Sequence, residues 1–166
     1  MTLRSMVIPS RMSQRSDRVI YSNEPPLNFN TAWDDAARTE VRMSELGAPT
    51  DEADGDLDVL AWKTTGQVLL LECKRLQLAR TVAEIAEICR RFQGQAKDEL
   101  DRHLQRARWV RGHPQSLAAI VGFVPNTSQI DARLVTNVHV PMMYLTTLPV
   151  PSDKIGPLRE LELTAD

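Results

Sequence analysis

The sequence lacks the features that mark several large classes of protein. No apolar run approaches the roughly 20 residues that a transmembrane helix needs, which argues against a helical membrane protein. Residues 1–20 contain four arginines but no apolar core segment, so they do not resemble a secretory signal peptide. With two cysteines, Cys73 and Cys89, the chain has no disulfide framework and suits a reducing, cytoplasmic environment.

Several catalytic signatures are also absent. The sequence has no internal repeats, no glycine-rich phosphate-binding loop and no Cys/His spacing typical of a zinc site. Its three histidines have no recognisable nucleophile context, so a Ser-His-Asp triad has no support. What is present is the composition of an ordinary globular protein, with 42% apolar and 25% charged residues, and a length of 166 residues that suits one domain.

Charge is nearly balanced over the whole chain, at −2, but it is unevenly distributed. Residues 34–58 contain nine acidic residues and two arginines, whereas residues 75–111 contain nine basic and five acidic residues. An acidic segment followed by a basic one suits a protein that holds a cation beside a polyanion. Solvated faces that differ in sign by chance are the alternative explanation.

The most informative stretch is residues 55–74, which reads as two apolar strands joined by a tight turn. At the end of the second strand, Glu72 and Lys74 share one face and Cys73 takes the other. Charged side chains on so apolar a strand need partners, and Asp58 on the neighbouring strand is a candidate. Two carboxylates and a lysine at one strand end suit a hard cation and a phosphate.

Asp58, a hairpin and then Glu72-Cys73-Lys74 resemble the PD-(D/E)xK, or restriction-endonuclease-like, nuclease superfamily. Leu57 stands where that family often has a proline. The resemblance covers residues 31–124. It implies an α/β fold with a restriction-endonuclease-like core of αβββαβ type, in which helices flank a central mixed β-sheet.

The same resemblance implies a Mg²⁺-dependent nuclease, with Mn²⁺ as a substitute, that hydrolyses phosphodiester bonds in DNA for defence, restriction or repair. Asp58, Glu72 and the Cys73 backbone carbonyl would hold the metal, and Lys74 would orient the attacking water or stabilise the transition state. Asp56 rivals Asp58, because both point the same way in an alternating strand. We prefer Asp58 because it lies deeper in the apolar run.

Residues 31–46 are predicted to form a first helix, with apolar residues at 3- and 4-residue spacing and Gly47 after its end. Glu40 would lie on the inward face of that helix, which is unusual for a glutamate. In the resembled family a glutamate of the first helix often contributes to the metal site, so Glu40 is a further candidate metal ligand. The alternative is a border residue paired with Arg38 or Arg42.

Two more helices are predicted at residues 81–93 and 95–111, the first from a capping box at Thr81 and Glu84. Basic residues on and beside them could contact a phosphate backbone, although a solvated face with ion-pair partners gives the same pattern. His103 is interpreted as a packing histidine. The candidate nucleic-acid contacts are Arg75, Arg80, Gln95, Lys97, Arg102 and Arg106.

Further strands are predicted at residues 117–124 and 133–145. The expected organisation is a flexible basic arm (1–29), a nuclease-like domain (30–148) and a proline-rich C-terminal tail (149–166). A catalytically inactive nuclease-fold module that binds nucleic acid or a protein, and an RNase on the same scaffold, are alternative functions. DNA is the expected partner ahead of RNA, no membrane is expected, and a homodimer or a fusion to other domains stays open.

Overall fold

The computed structural model describes residues 36–49, 54–141 and 148–157. Within these residues a central mixed sheet has its strands in the order β1-β2-β3-β4-β5. The first three strands pair antiparallel, whereas β4 runs parallel to β3 and β5 parallel to β4. The prediction of an α/β fold is confirmed. The strands are β1 (Ala36–Arg42), β2 (Asp56–Trp62), β3 (Val68–Lys74), β4 (Ile130–Thr136) and β5 (Ile155–Pro157), and the helices are α1 (Val82–Arg91), α2 (Glu99–Gly112) and α3 (Ala118–Val121).

The predicted hairpin is confirmed as β2 and β3, the centre of the sheet. Its turn closes with a hydrogen bond from the Gly66 N–H to the Lys63 carbonyl, and Gly66 has a φ of 99° that favours glycine. The apolar run of β3 is buried on both faces of the sheet: Val68 and Leu70 belong to one apolar cluster, and Leu69 and Leu71 belong to another.

Helices α1 and α2 lie in the connection between β3 and β4. Two parallel neighbouring strands need such a crossover, because a tight turn cannot join them. Helix α2 buries four apolar residues: Leu100 and Leu104 belong to the cluster around Phe92, while Ala107 and Val110 belong to the cluster that contains Leu70. The helix therefore lies across one face of the sheet.

Helix α1 has the predicted capping box: the Thr81 side chain accepts from the Glu84 N–H, and the Glu84 carboxylate accepts from the Thr81 N–H. Near the C-terminal end of the helix, Ile88, Cys89 and Phe92 are buried. Val82 in the first turn is 82% exposed, so the helix is buried through its last turns and not its first.

The predicted first helix over residues 31–46 is wrong. Residues 36–42 form strand β1, which pairs antiparallel with β2, and residues 43–46 form one turn of 3-10 helix. The free edge of β2 needs a hydrogen-bonding partner, and this pairing outweighs the weak helical preference of a short segment. Residues 31–35 of the predicted helix lie outside the described residues.

The predicted strand over residues 117–124 is also wrong. The segment forms a turn of 3-10 helix at residues 114–117 and then α3, which ends at Gly122 with a left-handed φ of 83°. A short apolar run is compatible with either a buried strand or a buried helical turn, so periodicity alone does not decide. The strand predicted at 133–145 is β4, which begins earlier and ends at Thr136; residues 142–145 lie outside the described residues.

Part of the segment predicted as a C-terminal tail belongs to the sheet. Strand β5 pairs with β4, Ile155 is buried, and Lys154 Nζ lies 2.9 Å from Asp131 Oδ2. Burial raises the pKa of Asp131, but hydrogen bonds from Lys154 and Arg133 outweigh that effect and lower the pKa below its usual value. The predicted basic arm, residues 1–29, and the end of the predicted tail, residues 158–166, lie outside the described residues.

The central position of β3 leads to a stability prediction. We expect Leu70→Ala to lower the free energy of unfolding by about 2–5 kcal/mol, because Leu70 is fully buried and its truncation leaves a cavity. The matched control is Leu78→Ala, a change of about ±0.5 kcal/mol or less, because that side chain is 72% exposed. Urea unfolding followed by circular dichroism measures both free energies of unfolding. Equal losses in the two variants would contradict the central position of β3 in the sheet.

Candidate functional site

The backbone pairing of β2 and β3 runs from Trp62 with Val68 to Val59 with Leu71. One position further along β2, the Asp58 side chain links the two strands: its Oδ2 accepts a 2.7 Å hydrogen bond from the Cys73 N–H. A carboxylate here takes the role that a backbone carbonyl plays along the rest of the ladder. Asp58 is therefore hydrogen-bonded directly to the backbone of the Glu72-Cys73-Lys74 segment.

Glu72 is the most deeply buried acidic residue of the described chain, with 1% of its surface exposed. Lys74 Nζ lies 2.7 Å from its Oε1, and Arg106 Nη2 donates to its Oε2 at 2.7 Å. A carboxylate removed from water needs this compensation, because an isolated buried charge costs far more than folding can supply. Both oxygens of Glu72 are thus paired with a cation.

Lys74 lies between two carboxylates. Besides Glu72, it approaches Glu99 at the start of α2, with 3.5 Å between Nζ and Oε2. Glu99 is held in turn by Arg91, whose Nε and Nη2 each lie 2.7 Å from Oε1. The Lys74 side chain keeps 16% of its surface exposed, so it is the more accessible of the two cations on Glu72.

Arg106 connects the site to the loop before β2. Its Nη1 lies 3.4 Å from the Asp54 carbonyl, and a Cβ added to Gly55 would come within 2.9 Å of the same nitrogen. Arg106 is a candidate nucleic-acid contact from the sequence, but its side chain is buried against Glu72 and does not lie on the surface. The buried glutamate needs a second counter-charge, and α2 supplies it.

Helix α2 presents three polar residues, Glu99, His103 and Arg106, to this end of β3. Their 4- and 3-residue spacing places them on one helix face. This face was not predicted from the sequence, where Arg102 and Arg106 were grouped as basic residues that could contact a phosphate backbone. The 99-103-106 spacing is the signal that could have revealed it.

His103 is buried, and neither of its ring nitrogens has a hydrogen-bond partner among the described residues. Its Nδ1 lies 4.0 Å from Glu72 Oε2, which is beyond hydrogen-bonding distance. Burial lowers the pKa of His103 to about 4; Glu72 opposes that shift, while Arg106, Lys74 and Arg111 add to it. The ring is therefore packed, as interpreted from the sequence, but it makes no hydrogen bond with the described residues.

Glu40 lies in β1 and not on a helix. It falls between the pairs Thr39 with Val59 and Val41 with Leu57, which places it across from Asp58. Its φ of 53° is in the left-handed region, which non-glycine residues seldom adopt. The side chain is exposed, and Arg38, one of its predicted partners, pairs with Glu45 instead. Its role as a metal ligand stays a prediction.

The remaining candidates are on the surface or at its border. Asp56, the rival of Asp58, is half-buried at the start of β2 and paired in register with Arg42 of β1. Lys97 has a left-handed φ of 71°, and its N–H donates to Asp101 at the beginning of α2. The candidate nucleic-acid contacts that are exposed are Arg75, Arg80, Gln95, Lys97 and Arg102.

The donor chemistry of the site suits Mg²⁺, which prefers carboxylate and carbonyl oxygens. Among the described residues, however, no three His, Cys, Asp or Glu side chains are grouped to hold a metal ion. The expected ligands are two carboxylates, of Asp58 and Glu72, and the Cys73 carbonyl. Because both Glu72 oxygens face cations, the residues fit a divalent ion only if one cation leaves, and Lys74 has Glu99 as a second acceptor.

Comparison with known proteins gives one family. A family model described as "Anti-phage protein Upx-like" matches residues 30–161, which is most of the chain. No curated protein and no solved structure matches the chain. Within the described ranges, no helix has the length and apolar character needed to cross a membrane.

The buried imidazole leads to a pH prediction. The folded-state pKa of His103, about 4, is below its unfolded value of 6.5, so the unfolded chain binds a proton more readily between these values. We therefore expect stability to fall by up to about 3 kcal/mol on acidification through this window. Urea unfolding in EDTA at pH 7, 6, 5 and 4 measures it. His103→Phe should lack this component, and an identical pH slope in both proteins would contradict the assignment.

Proposed function

Because the chain belongs to the Upx-like family of anti-phage proteins, we propose that it acts against phage as a Mg²⁺-dependent nuclease that cleaves DNA. Two findings support this function: membership of that family, and the resemblance of Asp58 and Glu72-Cys73-Lys74 to PD-(D/E)xK nucleases. The arrangement of three antiparallel strands, a helical crossover and a parallel strand supports the restriction-endonuclease-like core of the proposal.

The observation that carries the proposal is the contact of all three motif residues around one short segment. Asp58 Oδ2 accepts from the Cys73 N–H at 2.7 Å, and Lys74 Nζ lies 2.7 Å from Glu72 Oε1. Residues 58 and 72 are fourteen positions apart in sequence, and the hairpin brings them to the same end of the β2–β3 ladder.

The energetics of the buried charges favour a functional reason for them. A buried ion pair is often no more stabilising than apolar side chains of the same size, because desolvation offsets the attraction. Here Glu72 and Lys74 occupy the end of a strand that is otherwise apolar and fully covered, and Arg106 of α2 pairs with Glu72. Stability alone would be served as well by apolar residues at these positions, whereas phosphodiester hydrolysis needs the charges.

Asp58, Glu72 and the Cys73 carbonyl would hold Mg²⁺, with Glu40 across from Asp58 as an additional candidate. The ion supplies a bound water of lowered pKa and neutralises charge on the phosphate. The Cys73 N–H holds Asp58 in place, and Arg106 holds Glu72. Lys74, when it is not paired with Glu72, can orient the attacking water or stabilise the negative charge of the transition state.

In this proposal, Lys74 would move from Glu72 to Glu99 when a divalent ion binds. Lys74 neutralises the Glu72 carboxylate that would otherwise face a divalent ion, and Glu99 provides the nearest alternative carboxylate, at 3.5 Å. Exchange between the two acceptors would free one oxygen of Glu72 without leaving the lysine charge uncompensated. Exposed Arg75, directly after Lys74 in the chain, is the nearest basic residue in sequence for binding a DNA phosphate.

A cleavage assay with labelled duplex and single-stranded DNA tests the proposal. We expect cleavage with Mg²⁺ or Mn²⁺ but not with EDTA, and a loss of about 100-fold or more in rate for Lys74→Ala, because it removes a charge used in the transition state. The matched control is Arg90→Ala, which removes an exposed charge on α1 that pairs with Glu87. Equal rates for Lys74→Ala and the parent protein would contradict the proposed role.

One observation favours a second candidate, a nuclease-fold module that binds nucleic acid or a protein partner without cutting. Glu72 is buried and both of its oxygens are engaged, which is also the arrangement of a purely structural ion-pair network. DNA binding in a gel-shift assay without cleavage in any divalent metal, together with full phage protection by Lys74→Ala, would identify that module. Matched RNA substrates in the same assay distinguish an RNase.

A further inference from the structure

The imidazole of His103 stands out because nothing in the described structure uses its polar atoms. It is 1% exposed, yet neither Nδ1 nor Nε2 has a hydrogen-bond partner there. Buried polar side-chain atoms nearly always have a partner, and a specific exception in a folded protein calls for an explanation. An apolar ring would fill the same space without that cost.

The position of the ring suggests what the missing partner is. His103 lies one helical turn before Arg106, and both face Glu72 from α2. Nδ1 lies 4.0 Å from Glu72 Oε2, whereas Arg106 Nη2 lies 2.7 Å from the same oxygen. A relative shift of about 1 Å would bring Nδ1 into hydrogen-bonding range.

We propose that His103 is a positioning residue for Glu72: its Nδ1–H donates a hydrogen bond to the Glu72 carboxylate when the site binds a divalent ion. The inference rests on the proposed function, because it assumes that Glu72 is a metal ligand. It assigns His103 no proton transfer and no contact with the ion. Its role is to fix which way the carboxylate points.

The shift of His103 relative to Glu72 would follow from the exchange of Lys74 for the divalent ion at Glu72. In the structure Lys74 and Arg106 hold one oxygen each, and the carboxylate is fixed between them. Once Lys74 leaves Oε1, that oxygen is available to the ion, and the other oxygen keeps Arg106 and can turn toward His103. Partners behind a ligating side chain fix its orientation, and losing one typically weakens metal affinity about 10–100-fold.

Mn²⁺ titration calorimetry on the full chain tests this inference with a readout other than cleavage. We expect His103→Phe to weaken Mn²⁺ binding about 10-fold or more. In EDTA, its midpoint of urea unfolding at pH 7.5 should equal or exceed that of the parent, because two buried nitrogens that have no hydrogen-bond partner among the described residues are removed. A residue with only a packing role would give the opposite pair of results, namely unchanged Mn²⁺ affinity and a lowered midpoint of unfolding.

A matched pair of variants keeps the test valid if the phenylalanine variant does not fold. The amide nitrogen of Asn at position 103 can take the place of Nδ1, whereas that of Gln takes the place of Nε2. We expect His103→Asn to bind Mn²⁺ within about 3-fold of the parent and His103→Gln to bind about 10-fold more weakly. Equal affinities for these two variants and the parent overturn the role of His103 alone, whereas a parent protein that binds no Mn²⁺ overturns the proposed function as well.

Discussion

The constraint on which the site depends is the burial of one carboxylate, that of Glu72, at the end of the central strand. Its charge accounts for the polar residues around it: Lys74 and Arg106 neutralise its two oxygens, and Glu99 offers Lys74 a second acceptor. Because α2 carries Glu99 and Arg106, the packing of this helix on the sheet determines where these charged groups lie in the site. Substitutions on the apolar face of α2 would therefore shift the charged groups of the site, although they would replace no residue of the site.

The sequence was most informative where local patterns and the needs of burial agree. The hairpin was predictable because a turn with glycine separates two apolar runs, and the Glu72-Cys73-Lys74 segment sits where one run ends. Helix α1 was predictable from its capping box, which is a local signal. The convergence of Asp58 with this segment follows from strand pairing alone, so the sequence was enough to predict it.

The errors arise where distant parts of the chain decide the outcome. Residues 36–42 became an edge strand because β2 needed a partner, and residues 118–121 became helical although they are apolar enough for a strand. The burial of Arg106 depends on Glu72, which is 34 positions away in sequence. That the His103 ring has no hydrogen-bond partner in the described part of the chain is likewise a property of the packed helix, since no local pattern distinguishes it from an ordinary core histidine.

In the proposed nuclease, Glu72 exchanges the ammonium group of Lys74 for a divalent ion. Anomalous diffraction from crystals grown with saturating Mn²⁺ tests this claim most directly. It predicts a manganese peak within about 2.5 Å of carboxyl oxygens of both Asp58 and Glu72, with Lys74 moved to Glu99. A map with no peak at this position, and with Lys74 still paired to Glu72, would contradict it.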